Sequence, residues 1–425
     1  MMKKYILCLF SMMFFLLSVL RAEDYVYTAP ELMQSAYRSY SQNFPFASLL
    51  GKGNTGVAET GGLPLLNRNP ASLNLQATSF NFGLLMKSNA ESLIKEEANK
   101  NYKLNPLLGT VSLGFPLNDK MNFGVTYLEK KSIVMKSIKL HLKTGVNRLR
   151  EPEYTQQDIV MTLNYNFGKF KCGLNVINEY HYVYSQRNYQ DIWSNLKDKD
   201  TVFRFQPGIL YEYGNFSFGL TYKTEAKAKF NLLKWKPPHQ ENIFEEKYNT
   251  TLPFELAGGI NFKPSKTLSF NLETEYIKTS DENSANDDLL NVKFGLEKEY
   301  KDFRFRIGYM RLPQAYSGKI TVPYHQETLD EYNSDDEREM NDGNGGNNGT
   351  SEDYDQPDPD LTIIENNRQM LTCGFGYFHK YGDLNIAVAG DVKSKNTPAQ
   401  FVMNFGFNLN KVKKAFANKA WLKSD

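Results

Sequence analysis

The sequence predicts an all-β protein, a fourteen-stranded antiparallel transmembrane β-barrel with an N-terminal hatch (plug) inside the barrel. Three observations favour this fold. Apolar and polar residues alternate along many short segments, the connections between these segments are short and long in turn, and aromatic residues gather on one face of the segments. Tight periplasmic turns, long outer loops and aromatic girdles are typical of outer-membrane barrels.

A period of two recurs in fourteen segments after residue 76. In the third segment, Phe123 and Val125 lie on one side of the chain and Gly124 on the other, as in a strand with two unlike faces. Soluble sandwiches also contain such strands, so the alternation alone does not decide between the two classes. The predicted strands are residues 80–86, 111–117, 121–136, 159–167, 170–182, 203–211, 216–222, 254–262, 268–276, 292–298, 303–309, 371–377, 384–388 and 401–409.

The connections favour a membrane barrel. Short turns, such as those at 117–121 and 168–169, are followed by long segments, such as 137–157 and 185–201. The longest segment, 312–366, is strongly acidic and is expected to be a solvated outer loop. An even number of strands returns the chain to the side where it started, and closure of the barrel removes unpaired strand edges.

The first 22 residues have the features of a secretory signal peptide. Lys3 and Lys4 form its basic start, and residues 6–20 form its apolar part. The alternative is an N-terminal membrane anchor, which the short apolar run disfavours because a helical span takes ~20 residues. We therefore expect a signal (1–22), a hatch region (23–75), a barrel (76–410) and a basic C-terminal tail (411–425).

A glycine-rich segment at 51–73 precedes the first predicted strand. Its glycines and prolines disfavour a long helix or a regular strand, yet its leucines give it apolar surface to bury. It ends near Asn69, Pro70 and Ala71, where the proline fixes a turn and the asparagine can bond its own backbone. A compact, turn-rich stretch ahead of a barrel predicts a plug, and these three residues are its expected key positions.

Several stretches resemble the FadL-type outer-membrane transporters of long-chain fatty acids and other hydrophobic compounds. The glycine-rich run that closes on Asn-Pro-Ala resembles their hatch, and FPLNDK at 115–120 resembles their first periplasmic turn. LPFELAGGINFKP at 252–264 is similar to their eighth strand, and LTCGFGY at 371–377 to a late strand. The chain departs from the family at its end, because it adds a basic tail after Leu409 where members usually finish on an aromatic strand residue.

The resemblance implies a function and a location. It implies passive, ligand-gated uptake of hydrophobic molecules, with long-chain fatty acids as the expected substrate, by a monomer among the lipids of a Gram-negative outer membrane. It also implies lateral exit through a kink in the third strand, here residues 121–136. LEKKS at 128–132 breaks the alternation of this strand, which fits either a kink or a strand that simply leaves the membrane.

The face opposite the aromatic one is expected to line the lumen. One hypothesis is that Arg304 or Arg306 receives a substrate carboxylate in a charge-assisted hydrogen bond. The structural alternative is that the lumen charges, which have both signs, pair with one another and hold the plug. The charged residues expected on this face are Lys171, Glu179, Arg204, Glu212, Glu255, Glu273, Glu275, Lys293, Glu297, Arg304 and Arg306.

Other function classes fit the sequence less well. The net charge of +2, with dispersed lysine and arginine, argues against a nucleic-acid partner. No serine or cysteine nucleophile motif accompanies the histidines, so the chain is not expected to be an enzyme. The Asp/Asn/Gly run at 341–350 lacks the ligand spacing of an EF-hand, so neither a metal nor a cofactor is expected.

Two alternatives within barrel proteins stay open. A FadL-like barrel can be a shuttle or interaction component of a protein secretion system, with exported proteins as partners, because a fold does not fix a function. A plain porin is the third interpretation, and the plug-like segment at 51–73 disfavours it.

Overall fold

The computed structural model describes residues 43–88, 104–134, 138–142, 145–189, 192–235, 244–278, 288–313, 318–320, 361–363, 368–392 and 400–413. The predicted signal at 1–22, the start of the predicted hatch region at 23–42, most of the acidic segment 312–366 and the tail beyond residue 413 lie outside the described residues.

The described chain is almost entirely strand after residue 78. The strands are β1 (Ser79–Ser88), β2 (Leu104–Pro116), β3 (Met121–Val134), β4 (Ile138–Leu142), β5 (Gly145–Phe167), β6 (Phe170–Tyr189), β7 (Ile192–Tyr213), β8 (Phe216–Lys223), β9 (Ala226–Trp235), β10 (Phe244–Leu252), β11 (Glu255–Ser265), β12 (Leu268–Ile277), β13 (Leu289–Tyr300), β14 (Phe303–Leu312), β15 (Gly318–Ile320), β16 (Leu361–Ile363), β17 (Arg368–His379), β18 (Gly382–Asp391) and β19 (Gln400–Asn408).

Fourteen of these strands close into an antiparallel barrel. Neighbours in sequence are neighbours in the wall, β1 pairs with β19, and β3 pairs with β5, so the ring is complete. Strand β4 only pairs with the start of β5, whereas β9–β10 and β15–β16 form two separate two-stranded antiparallel sheets. The fourteen-stranded antiparallel barrel predicted from the sequence is confirmed.

One expectation about the connections was wrong. Residues 137–157 and 185–201 were interpreted as loops, but most of them continue the ladders of β5, β6 and β7, which run for 23, 20 and 22 residues. The apolar alternation stops before the strand does, because hydrogen bonds hold a ladder together with or without an apolar face. The alternation therefore marked the part of each strand with an outward apolar face and not the whole strand.

The two faces of the wall differ sharply, as strand β7 illustrates. Phe203 and Phe205 expose 59% and 48% of their surface, whereas Arg204 between them exposes 2%. The same inversion occurs all around the barrel, with large apolar residues outside and buried polar residues inside. A closed barrel with this exposed apolar surface is suited to lipid and not to water.

Aromatic residues are concentrated outside near the short turns. Phe167, Tyr213 and Tyr300, each next to a turn, expose about three fifths of their surface, at 61%, 62% and 60%. Such girdles lie at the boundary between the acyl chains and the headgroups in membrane barrels. Among the described residues, no helix combines the length and the apolar character needed to cross a membrane.

The interior is occupied by residues 43–75, which we call the N-terminal segment. It contains one helical turn (Ala47–Leu50) and two 3₁₀ turns (Leu63–Asn67 and Pro70–Ser72), as its many glycines and prolines predict. Its leucines, among them Leu66 and Leu73, are fully buried. They form one core with apolar residues of the inner wall, namely Leu128, Val160 and Ile177.

Candidate functional site

The N-terminal segment is bound to the inner wall around much of the barrel. Wall side chains hydrogen-bond its backbone from seven strands of the barrel, so the segment spans the lumen and does not line one side. These wall residues are Asn122 of β3, Asn164 of β5, Asn175 of β6, Gln206 of β7, Glu273 of β12, Thr372 of β17 and Asn404 of β19.

The Asn-Pro-Ala turn is built around the side chain of Asn69, which is fully buried. Its Oδ1 accepts a hydrogen bond from the backbone N–H of Ala71 at 3.0 Å and thereby caps the 3₁₀ turn that begins at Pro70. Its Nδ2 donates to the backbone oxygens of Val57 at 2.7 Å and Ile209 at 3.0 Å. Asn69 therefore ties two parts of the N-terminal segment to strand β7.

Two wall glycines allow this turn to lie against the wall. A Cβ on Gly173 would lie 2.4 Å from the carbonyl carbon of Pro70, and a Cβ on Gly208 would lie 2.1 Å from Oδ1 of Asn69. Both distances are far below van der Waals contact, so only glycine fits. Asn164 on β5 completes the contact by donating from Nδ2 to the backbone oxygen of Ala71 at 2.9 Å.

The sequence interpretation missed these glycines, although they carry a signal. Glycine weakens a strand interior and commonly marks a place where another backbone approaches closely. Gly173 and Gly208 occupy the middle of strands, at the alternate positions that face the lumen. Their place in the alternating pattern therefore indicated that the backbone of another segment approaches the wall there. Other inward glycines that meet the backbone of the N-terminal segment are Gly219, Gly295, Gly308 and Gly374.

Glu273 is the main electrostatic anchor of the N-terminal segment. Its Oε2 accepts hydrogen bonds from the backbone N–H groups of Gly56 at 2.9 Å and Val57 at 3.1 Å. Its Oε1 pairs with the guanidinium of Arg68 and, at 3.3 Å, with the ammonium of Lys293. A buried carboxylate with four donors is well compensated, so this contact holds the segment without leaving a bare charge.

A second ion network joins the neighbouring strands β6, β7, β8 and β11 along the inner wall. Glu179 lies 2.6 Å from the ammonium of Lys223 and 3.4 Å from the guanidinium of Arg204. Arg204 also lies 3.4 Å from Glu255, which is 3.6 Å from Lys223. Every member of this network is a wall residue, so it stabilises the wall and does not anchor the N-terminal segment.

Arg304 and Arg306, the predicted receivers of a substrate carboxylate, lie near the short turns. The guanidinium of Arg304 lies 2.6 Å from Glu299 and stacks 3.9 Å from the ring of Phe378. Arg306 pairs with Glu297 and donates to Oδ1 of Asn385 at 2.9 Å. Both face a polar cavity of about 430 Å³ between the N-terminal segment and the wall.

The wall itself splits between β2 and β3. Their ladder ends at the pair Thr110–Leu128. Beyond it, β2 continues to Leu104 paired only with β1, and β3 continues to Val134 paired only with β5, among the described residues. The two strands therefore part on the side away from the short turns.

A β-bulge sits on each side of the split. Gly109 is the extra residue on β2 and Lys130 is the extra residue on β3. Bulges bend a strand and increase its twist, which explains why the two strands diverge here. The break at 128–132 in the sequence pattern is thus a bulge at Lys130 inside a strand that continues to Val134. A bulge bends a strand, as the kink expected from the resemblance requires.

The start of the described N-terminal segment meets this bulge. The backbone N–H of Asn43 donates to the backbone oxygen of Lys130 at 2.9 Å. The occupied lumen and the split wall are therefore in direct contact, and together they form the candidate functional site.

This chain matches known proteins in three-dimensional structure. No protein-family model matches the chain, and no curated protein matches it in sequence. The toluene transporter TbuX of Ralstonia pickettii is 12% identical, with a TM-score of 0.55 over 86% of this chain and 98% of that one. The toluene transporter TodX of Pseudomonas putida is 13% identical, with a TM-score of 0.52 over 88% of this chain and 99% of that one.

At this level of identity the likeness concerns the fold. The match covers nearly the whole of both transporters, and the barrel has the outward apolar surface of a protein of the outer membrane. This chain therefore has the fold of the FadL-type outer-membrane transporters, the family that its sequence resembles.

Proposed function

We propose that this chain is an outer-membrane transport protein for hydrophobic compounds, which enter by passive diffusion through a barrel closed by a hatch. The observation that carries the proposal is the combination of a lumen filled by residues 43–75 and a wall that splits where β2 and β3 part. A porin needs an open lumen, whereas a hydrophobic ligand needs an apolar site and a way into the bilayer.

The N-terminal segment is the proposed hatch, and Asn69, Pro70 and Ala71 are its proposed key residues. A barrel of fourteen strands is too wide to be filled by its own side chains, as ~8 strands can be. Without the segment it would leak small polar solutes. The hydrogen bonds of Asn69 to Val57 and Ile209 support this role, because they fix the turn against the wall.

The split between β2 and β3 is the proposed exit. A ligand that leaves sideways passes from the lumen to the acyl chains without crossing the polar cavity near the short turns. The bulge residue Lys130 is held by Asn43 of the hatch, so a ligand that moves the start of the hatch also moves the edge of the split. Such a contact supports gating by the ligand.

Long-chain fatty acids are the proposed substrate class. The two compared transporters carry toluene, which supports a hydrophobic cargo of some kind. The proposal of fatty acids comes from the resemblance in sequence. A fatty acid is a charged amphipathic ligand, whereas toluene is a neutral hydrocarbon.

The test is to identify what the purified protein carries. The protein is extracted from its native membrane, the detergent is exchanged, and bound apolar molecules are identified by mass spectrometry against an unrelated barrel as control. A stoichiometric fatty acid or hydrocarbon that the control lacks supports transport and gives the class. An empty barrel that instead copurifies with exported proteins would overturn transport in favour of the secretion-component alternative.

A further inference from the structure

The rim of the barrel at the short turns carries an excess of positive charge. We define this rim as the six short turns, the three strand residues on each side of every turn, and the described residues after β19. Five of the six turns hold an exposed lysine, and the turn at 214–215 does not. The exposed turn lysines are Lys120, Lys169, Lys266, Lys301 and Lys380.

The strand ends and the residues after β19 add to this charge. The further exposed lysines are Lys263, Lys298, Lys411 and Lys413, so the rim has nine of them, whereas its exposed acids are Asp119 and Asp302. The whole chain is nearly balanced, with 50 lysines and arginines against 48 acids. None of the nine lysines forms an ion pair with another described residue. The excess is therefore local, and it can attract an anion from outside the chain.

Two of these lysines lie on the outer surface of the wall. Lys298 shares the outward face of β13 with Phe294 and Tyr300, which expose 43% and 60% of their surface. The ammonium of Lys301 lies 5.5 Å from the centre of the Tyr300 ring. Tyr300 belongs to the aromatic girdle, and such girdles lie at the level of the lipid headgroups. The two ammonium groups are therefore held where headgroups lie.

The neighbouring turn adds hydroxyl groups to this part of the rim. Nζ of Lys298 donates to Oγ1 of Thr267 at 3.0 Å, and Oγ1 of Thr267 lies 3.3 Å from Oγ of Ser265. Lys266 lies between these two residues in the chain. Asp302, the acid in the next turn, forms no ion pair with a described lysine. Three lysines and two hydroxyls are thus close enough in the fold to donate to several oxygens of one phosphate.

We propose that this part of the rim, formed by residues 265–267 with Lys298 and Lys301, binds the phosphate of an anionic phospholipid in the leaflet around the short turns. The acyl chains of the lipid lie against outward apolar side chains of β14, where Phe305 and Ile307 expose 50% and 62% of their surface. The other rim lysines attract further anionic headgroups.

The distribution of the lysines favours a lipid over an acidic protein as the partner. The lysines follow the circumference of the barrel and the aromatic girdle, whereas a protein would cover one side of the rim. Bound headgroups would hold the girdle at the surface of the leaflet and so fix the depth of the barrel in the bilayer. The inference goes beyond the proposed transport and does not depend on what the barrel carries.

The test compares two lipids with the same acyl chains on the full-length protein in detergent. Binding of dioleoyl phosphatidylglycerol, which is anionic, and of dioleoyl phosphatidylcholine, which has no net charge, is measured by equilibrium titration. One variant combines Lys266→Gln, Lys298→Gln and Lys301→Gln, and a second has arginine at the same three positions. The control variant carries glutamine in place of three exposed lysines on the side of the long connections, namely Lys199, Lys227 and Lys229. Heat-dependent migration on gels checks that each variant is a folded barrel.

The expected result is a preference of wild type for phosphatidylglycerol that the glutamine variant loses. Each lysine near an anionic surface strengthens binding about fivefold, so the loss of three corresponds to about a hundredfold weaker affinity for phosphatidylglycerol. The affinity for phosphatidylcholine stays unchanged. The arginine variant and the control variant keep the preference, and high salt weakens it because exposed charges are screened.

Four results would overturn the inference. They are equal binding of the two lipids by wild type, a preference that survives in the glutamine variant, an equal loss in the control variant, and displacement of the lipid by the same concentration of glycerol phosphate. The third would show a response to net charge alone, and the fourth would show a site for a free phosphate and not for a lipid. None of these results bears on the proposed transport of hydrophobic compounds.

Discussion

Glu273 of β12 accepts hydrogen bonds from two consecutive backbone amides of the N-terminal segment, those of Gly56 and Val57, at 2.9 and 3.1 Å. This places a single carboxylate at the point where the backbone of the N-terminal segment, its Arg68 and Lys293 of the wall meet. The N-terminal segment is therefore held by a charged side chain in the middle of a wall strand, and any movement of the segment away from β12 would have to break this contact.

Glu273→Gln is expected to loosen the hatch. The substitution leaves buried cations without their charge partner, which costs about 3–5 kcal/mol when a buried pair is broken. We expect a lower melting temperature and faster entry of small sugars into liposomes that contain the protein. Glu299→Gln is the matched control, because Glu299 forms its ion pair with Arg304 at the exposed rim. Equal effects of both substitutions would contradict the anchor role.

Gly173→Ala is expected to push the Asn-Pro-Ala turn off the wall. The new Cβ would lie 2.4 Å from the carbonyl carbon of Pro70, and such overpacking costs about 1–3 kcal/mol. Gly390→Ala is the control, because a Cβ there meets nothing within 4 Å. The measurement is the melting temperature of both variants. If the two curves coincide, the hatch does not lie against β6 in solution.

Asn69→Ala removes one side chain that makes three hydrogen bonds inside the hatch and to Ile209. Each buried oxygen left without its donor costs about 1–3 kcal/mol, so the turn should become mobile. Hydrogen exchange is expected to speed up at Ala71 and Val57 and to stay unchanged in the outer half of β6. Asn410→Ala, at an exposed position, serves as the comparison. Unchanged exchange at Ala71 would rule out the capping role.

Deletion of Lys130 is expected to close the split without displacing the rest of β3. Glu129 already pairs with Gln157 and Lys131 with Gln156, so removal of the extra residue restores a regular ladder. We expect slower uptake of toluene by cells, whereas Lys130→Met, which keeps the bulge, takes up toluene at the normal rate. Normal toluene uptake after the deletion would show that the exit lies elsewhere.

Deletion of residues 51–73 is expected to turn the barrel into an open pore. The deletion removes most of the hatch contacts with the inner wall, and fourteen strands leave room for an aqueous channel. Single-channel conductance in planar bilayers should rise from near zero to a steady open level. A barrel that stays closed after this deletion would refute the plug function of the N-terminal segment.

The sequence predicted the wall better than the site. Every predicted strand is present. Side chains in the wall face lipid and lumen in turn, so apolar and polar residues alternate in the sequence, as Phe203 and Arg204 do. The long ladders of β5 to β7 were not predicted, because beyond the membrane that pattern is no longer imposed. The contacts of Glu273 and the register of the bulge at Lys130 depend on strand pairing across the barrel, which no local pattern records. The break at 128–132 was visible in the sequence, but only the pairing of β3 with β5 shows that it is a bulge at Lys130.

The glycines of the inner wall also bear on how the protein is made. At Gly173 and Gly208 the inner wall has hollows that the Asn69–Pro70 turn of the N-terminal segment fills. A barrel without this segment would therefore have unfilled space in its inner wall. The seam between β1 and β19 joins the two ends of the barrel, and the hatch leads directly into β1. Such an arrangement favours an order of assembly in which the hatch is seated while the seam is still open. The barrel would then close around its own N-terminal segment.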